Sequence, residues 1–319
     1  MMRKLIVLDG YTLNPGDLSW DVFNDFCDIT VYDRTPGNLV VERAEGADFI
    51  LTNKVVIDAE MIKQLPKLKY IGVLATGFNV VDIDAAKKQG IVVTNIPAYS
   101  TNSVAQMVFA HIFAHFNKVE KHGQHVAEGG WVNSVDFSYF LSPQTELDGK
   151  TMGIVGYGRI GSKIAQIALA FDMKVLIANR SVKTNLPHGI TQVSVEEVFE
   201  QSDIVSINCP LSDDNKGFVN RELIGKMKQT ALLVNTGRGP LINESDLAGA
   251  LNNGTIAGAS LDVLSTEPPA AGNPLLGAKN CIITPHIAWA TFEARSRLMD
   301  IAAENLRAFI KGEPVNVVG

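Results

Sequence analysis

The segment Gly156-Tyr157-Gly158-Arg159-Ile160-Gly161 constrains this chain more than any other. An apolar run, Met152 to Val155, precedes it, and a stretch with Ile160, Ile164, Ile167 and Ala168 at helical spacing follows. A second strand pattern ends at Asn179. Strand, glycine turn, helix and strand make a βαβ unit whose two strands lie parallel. The first glycine permits the tight turn, the second lets backbone approach a pyrophosphate, and the third lets helix and strand pack closely. The helix N-terminus then offers free N–H groups and a positive dipole end to phosphates. A lone G-x-G-x-x-G is a weak signal, but here its context predicts a dinucleotide site built on Gly156, Gly158, Arg159, Ile160 and Gly161.

Around this unit the same alternation recurs. "KLIVLDG", "ITVYD", "FILTNK", "YIGVLATG" and "IVVTN" read as buried strands in the first hundred residues, with helical patterns between them. No glycine-rich turn follows the first of these strands. A long helical pattern begins near Ser100, Thr101 and Asn102, which are cap candidates. A second series runs "MGIVGYG", "MKVLIANR", "IVSINCP", "ALLVNTG", "IAGASLDV" and "CIITPH". A last helical segment, about 292–310, is too short to be a domain and is expected to pack back on the first one. The fold class expected is α/β with two doubly wound parallel sheets. A Rossmann cofactor domain, 101–287, is inserted into a flavodoxin-like substrate domain made of 1–100 and 288–319.

Composition narrows the function. The net charge is −6, and lysine and arginine are dispersed, which argues against a nucleic-acid partner. Cys27, Cys209 and Cys281 form no C-x-x-C pair, so no disulfide framework or cysteine zinc site is expected. His111 and His115 stand four apart, but no glutamate follows His111, and the expected metal content is none. The apolar run after Met1-Met2-Arg3-Lys4 ends at Asp9, too short for a secretory leader, and no stretch is long enough for a membrane span. A cytoplasmic enzyme with no membrane partner is the expectation.

Reactive residues follow several strands of the second series: Arg238 in "NTGRG", Asp262 in "SLDV", Glu267 in "TEPP" and His286 in "TPH". In a parallel sheet these positions share the edge that carries the glycine turn. Arginine grips a carboxylate through two N–H groups, histidine moves a proton near neutral pH, and a glutamate on the other ring nitrogen orients it. Anion clamp, proton donor and hydride carrier together suit reduction of a 2-keto acid.

The motifs "GYGRIG", "NTGRG", "LDVLSTEPP" and "TPHIAWAT" in combination resemble the D-isomer-specific 2-hydroxyacid dehydrogenases over nearly the whole chain. Within that family "ATGFNVVDIDAAKKQGI", "WVNSVDFSYF" and "HIAWA" look most like glycerate dehydrogenases, also called hydroxypyruvate reductases. The resemblance implies that Arg238 binds substrate carboxylate and carbonyl, that His286 donates the proton with Glu267 as its partner, and that Asp262 meets the nicotinamide carboxamide. It implies that Ala75, Thr76 and Gly77 offer backbone N–H groups to the substrate carboxylate. Cys209, Pro210, Thr236 and Gly237 join the expected cofactor contacts. The family's members are typically dimers, and the aromatic segment with Trp131, Phe137, Tyr139 and Phe140 is the expected interface. Other 2-hydroxyacid, phosphoglycerate or phosphite dehydrogenases are the alternatives within the family, and a dinucleotide-sensing corepressor-like protein is the alternative outside catalysis.

One position bears on the reducing pool. About 20 residues past the glycine turn an NAD site places a carboxylate on the ribose. Here stand Asn179, Arg180 and Ser181, and no Asp or Glu occupies 173–195. Arg180 with Ser181 suits a 2′-phosphate, so NADP(H) is favoured over NAD(H).

Overall fold

The computed structural model describes residues 2–319 and divides into two units. The first comprises the chain up to Ser100 together with Ala290–Gly319, and the second is Thr101–Trp289.

In the first unit five strands, β1 Arg3–Val7, β2 Cys27–Val31, β3 Phe49–Thr52, β4 Tyr70–Val73 and β5 Val92–Thr94, pair in the order β2-β1-β3-β4-β5. All pairs are parallel. This is the flavodoxin-like order. β3 and β4 are buried along their whole length, as the uninterrupted apolar runs require. The closing helix, Phe292–Lys311, starts at Thr291, whose hydroxyl accepts the Ala294 N–H, and stops at Gly312 in a left-handed conformation, φ +86°. Its Phe309 packs on Phe49 and Tyr70. Its Arg295 is buried, donates two hydrogen bonds to the Asp17 carboxylate and a third to Leu13 O.

The second unit holds β6 Thr151–Val155, β7 Lys174–Ala178, β8 Ile190–Gln192, β9 Ile204–Ile207, β10 Leu232–Asn235, β11 Gly258–Leu261 and β12 Cys281–Ile283. Their order is β12-β11-β10-β9-β6-β7-β8, all parallel. The order reverses between β6 and β9, which is the switch point of a Rossmann sheet. Alternate residues feed two cores. Met152, Ile154, Ile204, Leu232 and Val234 face the helices Thr101–Phe116 and Arg159–Ala170. Val155, Val205, Ile207 and Leu233 join the core on the other face, where Leu247, Ala248 and Leu251 of the helix Glu244–Asn252 pack. The fold class read from the sequence is therefore the fold observed.

The second junction, expected at 287/288, falls between Trp289 and Ala290. Ala288 stays with the second unit because Ser103 donates to its carbonyl and its N–H donates to Asp262. No helix among the described residues is long and apolar enough to cross a membrane.

Candidate active site on the crest of the second sheet

The register levels the strand ends. Ala178 pairs with Val155, Val155 with Ile207, Ile207 with Asn235, Asn235 with Leu261 and Leu261 with Ile283. At about 4.8 Å per strand, this row of carboxyl ends spans about 24 Å. Every loop predicted to carry chemistry in this unit leaves from it.

The glycine turn leaves β6. Gly156 has φ +98°, and a Cβ there would sit 2.6 Å from Cys209 N on the neighbouring loop, so only glycine is accommodated. A Cβ on Gly161 would lie 2.2 Å from Gly156 O, which shows how closely helix and turn approach. A Cβ on Gly158 would meet no atom within 4 Å. Gly158 caps the twelve-residue helix Arg159–Ala170, and Arg159 is exposed beside it. Open space in front of first-turn N–H groups on a long helix suits a pyrophosphate. The residues present thus fit a dinucleotide.

Asn179 ends β7 and is half-buried. Its Oδ1 accepts the Tyr157 N–H at 3.1 Å, and its Nδ2 donates to Ser181 O and Ser181 Oγ, each at 3.1 Å. The carboxamide therefore staples the glycine turn to the next loop. Gln192 reinforces that loop by donating to Asn179 O and Ser181 O and accepting from Lys183 N. Arg180 and Ser181 are exposed. Burial pushes the half-buried Cys209 thiol up, while the Arg180 charge acts on it the other way. Pro210 is exposed, and its carbonyl accepts from Asn215 Nδ2.

Beyond β10, Asn235 shapes the arginine loop. Its fully buried side chain accepts the Gly237 N–H at 3.0 Å and donates to Arg238 O at 2.9 Å. Thr236 is buried, and its hydroxyl has no partner among the described residues. Arg238 is exposed and donates to Gly237 O. A Cβ on Gly239 would lie 1.9 Å from Leu264 C, so the arginine loop and the loop after β11 touch backbone to backbone. Glu267 belongs to the latter loop: its Oε1 accepts the Leu264 N–H, and its Oε2 accepts from His286 Nδ1 at 2.5 Å. Arg238, Glu267 and His286 are thereby brought onto linked loops, and the ring nitrogen left to act on a ligand is Nε2.

Asp262 departs from its expected posture. It is 1% exposed, its Oδ1 accepts from Thr284 Oγ1 and Ile287 N, and its Oδ2 accepts from Ala288 N. Rather than standing free for a ligand, the carboxylate is enclosed by the segment that carries His286. Asn235 and Thr284, not singled out in the sequence, are further supports of the site. The motifs "NTGRG" and "TPH" contain them, but only their hydrogen bonds reveal the task.

On the first unit, Ala75, Thr76 and Gly77 follow β4. Thr76 Oγ1 donates to Ile96 O, Asn95 Nδ2 donates to Thr76 O, and Ile96 N donates to Ala75 O. The loop is pinned to the segment after β5. Among the described residues no group of three or more His, Cys, Asp or Glu is placed to hold a metal ion.

Residues 109–288, more than half of the chain, match the family described as "D-isomer specific 2-hydroxyacid dehydrogenase, NAD binding domain". The chain belongs to this family. It is 49% identical over 319 residues to a hydroxypyruvate reductase of Blautia hydrogenotrophica, covering 99% of each chain. It is 41% identical to a glycerate dehydrogenase of Methylorubrum extorquens, covering 100% of this chain and 99% of the relative. Among solved structures, an NADPH-dependent glyoxylate/hydroxypyruvate reductase from Sinorhizobium meliloti, in complex with NADP and malonate, superposes with a TM-score of 0.84 at 27% identity. That match covers 100% of this chain and 97% of the other. The glycine turn and all of Arg238, Asp262, Glu267 and His286 of this 2-hydroxyacid dehydrogenase fall inside the matched NAD binding domain.

Proposed function

We propose that the protein reduces a small 2-keto acid, hydroxypyruvate or glyoxylate, to the D-2-hydroxy acid. The observation that carries this is the His286–Glu267 hydrogen bond, which joins the loop after β12 to the loop after β11, itself in backbone contact with the arginine loop, on the same crest as the glycine turn. A bound nicotinamide dinucleotide supplies the hydride that reaches C2. Gly156, Gly158, Arg159, Ile160 and Gly161 hold its pyrophosphate, with Cys209, Pro210, Thr236 and Gly237 along the groove and Asp262 behind it as the support of the segment 284–288. Arg238 holds the substrate carboxylate and carbonyl through its planar fork. As C2 takes the hydride, its oxygen gains charge and takes the proton from His286 Nε2. Glu267 orients the ring through Nδ1 and balances the charge of the protonated imidazole before transfer. The proposed role of Ala75, Thr76 and Gly77 as backbone donors to the carboxylate rests on the sequence resemblance.

NADP(H) is the proposed pool. Asn179 is engaged in its staple, Arg180 is exposed at the strand end, and no carboxylate stands nearby in sequence to repel a 2′-phosphate. The proposed assembly is a homodimer formed through the segment 131–140. There Trp131, Val132, Val135, Phe137 and Phe140 are exposed apolar side chains, Val135 and Phe137 almost fully so. A patch of this kind signals a protein interface.

NADH and NADPH oxidation measured in parallel with hydroxypyruvate, glyoxylate and pyruvate tests the reading. Turnover with the first two is expected, and a folded His286→Ala variant of undiminished rate would overturn it. Light scattering on a Phe137→Ser/Phe140→Ser variant tests the dimer. A mass unchanged from that of a dimeric wild type, or a monomeric wild type, would overturn that part.

A further inference from the structure

We infer that His111 is a positioning residue for catalysis, acting through Thr284 and Asp262 on the segment that presents His286. His111 is 3% exposed on the helix Thr101–Phe116. Its Nε2 lies 3.1 Å from Thr284 Oγ1, and Thr284 Oγ1 lies 2.6 Å from Asp262 Oδ1. Asp262 in turn holds the segment at three backbone points. Its carboxylate accepts the Ile287 and Ala288 N–H groups, and its main-chain oxygen accepts the His286 N–H.

The chain of hydrogen bonds has one consistent direction. The Asp262 carboxylate accepts, so the single hydroxyl hydrogen of Thr284 points at it. Thr284 Oγ1 then only accepts from His111, and His111 must carry its proton on Nε2. Burial holds the His111 imidazole below the ordinary histidine range, against the pull of Asp262, which agrees with a neutral ring. The order is His111 Nε2–H to Thr284 Oγ1–H to Asp262 Oδ1.

The segment needs such a hold. His286 has φ +54°, a left-handed conformation that is unfavourable for a residue with a side chain. The helix that carries His111 also carries Ser103, whose hydroxyl donates to Ala288 O at 2.6 Å. One helix therefore grips both ends of the segment 284–288, with His286 between the two grips. Losing the His111 grip leaves the half-buried Thr284 hydroxyl oxygen without its protein donor and frees the segment at its Thr284 end. The cost is expected in the proton-transfer step and not in cofactor affinity, because the glycine turn is built on other residues.

The inference rests on His286 as the proton donor, so His286→Ala is measured alongside. Expected for His111→Leu is a kcat about tenfold lower, an NADPH dissociation constant unchanged within twofold, and a thermal midpoint lower by only about 2–4 °C. Expected for Thr284→Val is a similar loss of kcat, and for the double variant no further loss. Thr284→Ser, which keeps the hydroxyl, is expected to retain wild-type kcat. A His111→Leu kcat within twofold of wild type beside an inactive His286→Ala overturns this inference alone. An active His286→Ala overturns the reading of the reaction instead. Losses that multiply in the double variant also overturn it. Should the His111 variants fail to fold, nitrogen-15 NMR of the histidines in the wild-type protein decides: a neutral Nε2–H ring supports the chain, and an Nδ1–H or doubly protonated ring at neutral pH overturns it.

Discussion

Asn179→Asp is the substitution that most directly separates the two reducing pools. The change keeps the side chain's size and its acceptor for the Tyr157 N–H, but removes both donors to Ser181. The Ser181 hydroxyl can turn to donate to the new carboxylate. The Ser181 carbonyl cannot, and two acceptors then face each other at 3.1 Å. On a half-buried loop open to water this costs about 1 kcal/mol. A fall of about 2–4 °C in thermal midpoint is expected for a unit of this size. The larger effect falls on the cofactor. If the new carboxylate stood about 5 Å from a 2′-phosphate, at an effective dielectric of about 20, it would contribute about 3 kcal/mol of repulsion per unit charge. That is about a hundredfold in affinity. NADH carries no such phosphate, and the carboxylate gains a ribose hydroxyl pair to accept from. Steady-state kcat/KM for NADPH and NADH, measured at one low ionic strength, is the assay. The NADPH:NADH preference is expected to fall by about two orders of magnitude. A preference unchanged within twofold in a folded variant would refute the reasoning and reduce Asn179 to a loop staple.

Glu267→Gln removes the charge that faces His286 Nδ1, and kcat is expected to fall by about 10- to 100-fold with the hydride acceptor's KM little changed; an unchanged kcat would remove Glu267 from the mechanism. Gly239→Ala forces a Cβ into the Leu264–Ser265 backbone, so chemical denaturation is expected to show a loss of about 1–3 kcal/mol and kcat/KM to drop as the Arg238 loop shifts away. His115 is held down to about 4 by burial, assisted by Lys118, from an ordinary 6.5. Its neutral form is favoured by folding, so its contribution is fully present above about pH 6.5 and is lost as pH falls toward 4, by about 1–3 kcal/mol after allowance for its partial exposure. A His115→Asn variant is expected to show a flatter stability profile across that window, and an equally steep profile would exclude this histidine as the cause.

The glycine turn, the strand series and the placement of the candidate residues Arg238, Glu267 and His286 just past strands were legible because each is a local pattern. A period of two or 3.6, a glycine spacing, or a charged residue just past an apolar run needs only neighbours to be recognised. The expected posture of Asp262 was not legible, nor were the tasks of Asn179, Asn235, Thr284 and His111. Asp262 reads as a residue at a strand end waiting for a ligand; in the fold it serves the segment 284–288, more than twenty positions away. His111 reads as a polar interruption in an apolar helix, and its partner lies 173 positions along the chain.

What the sequence by itself determined is the pair of parallel α/β sheets, the dinucleotide turn and the residue types available for proton transfer and anion binding. Register alone levels the ends of β6, β9, β10, β11 and β12 into one crest. Which polar atoms remain free on that crest was decided only by tertiary structure. A buried donor or acceptor must find a partner or bear a desolvation cost, and those partners come from distant segments whose approach is set by packing of the whole unit. That is why Asp262 and Asn179 are occupied as supports, while the His286 ring has its Nδ1 held by Glu267.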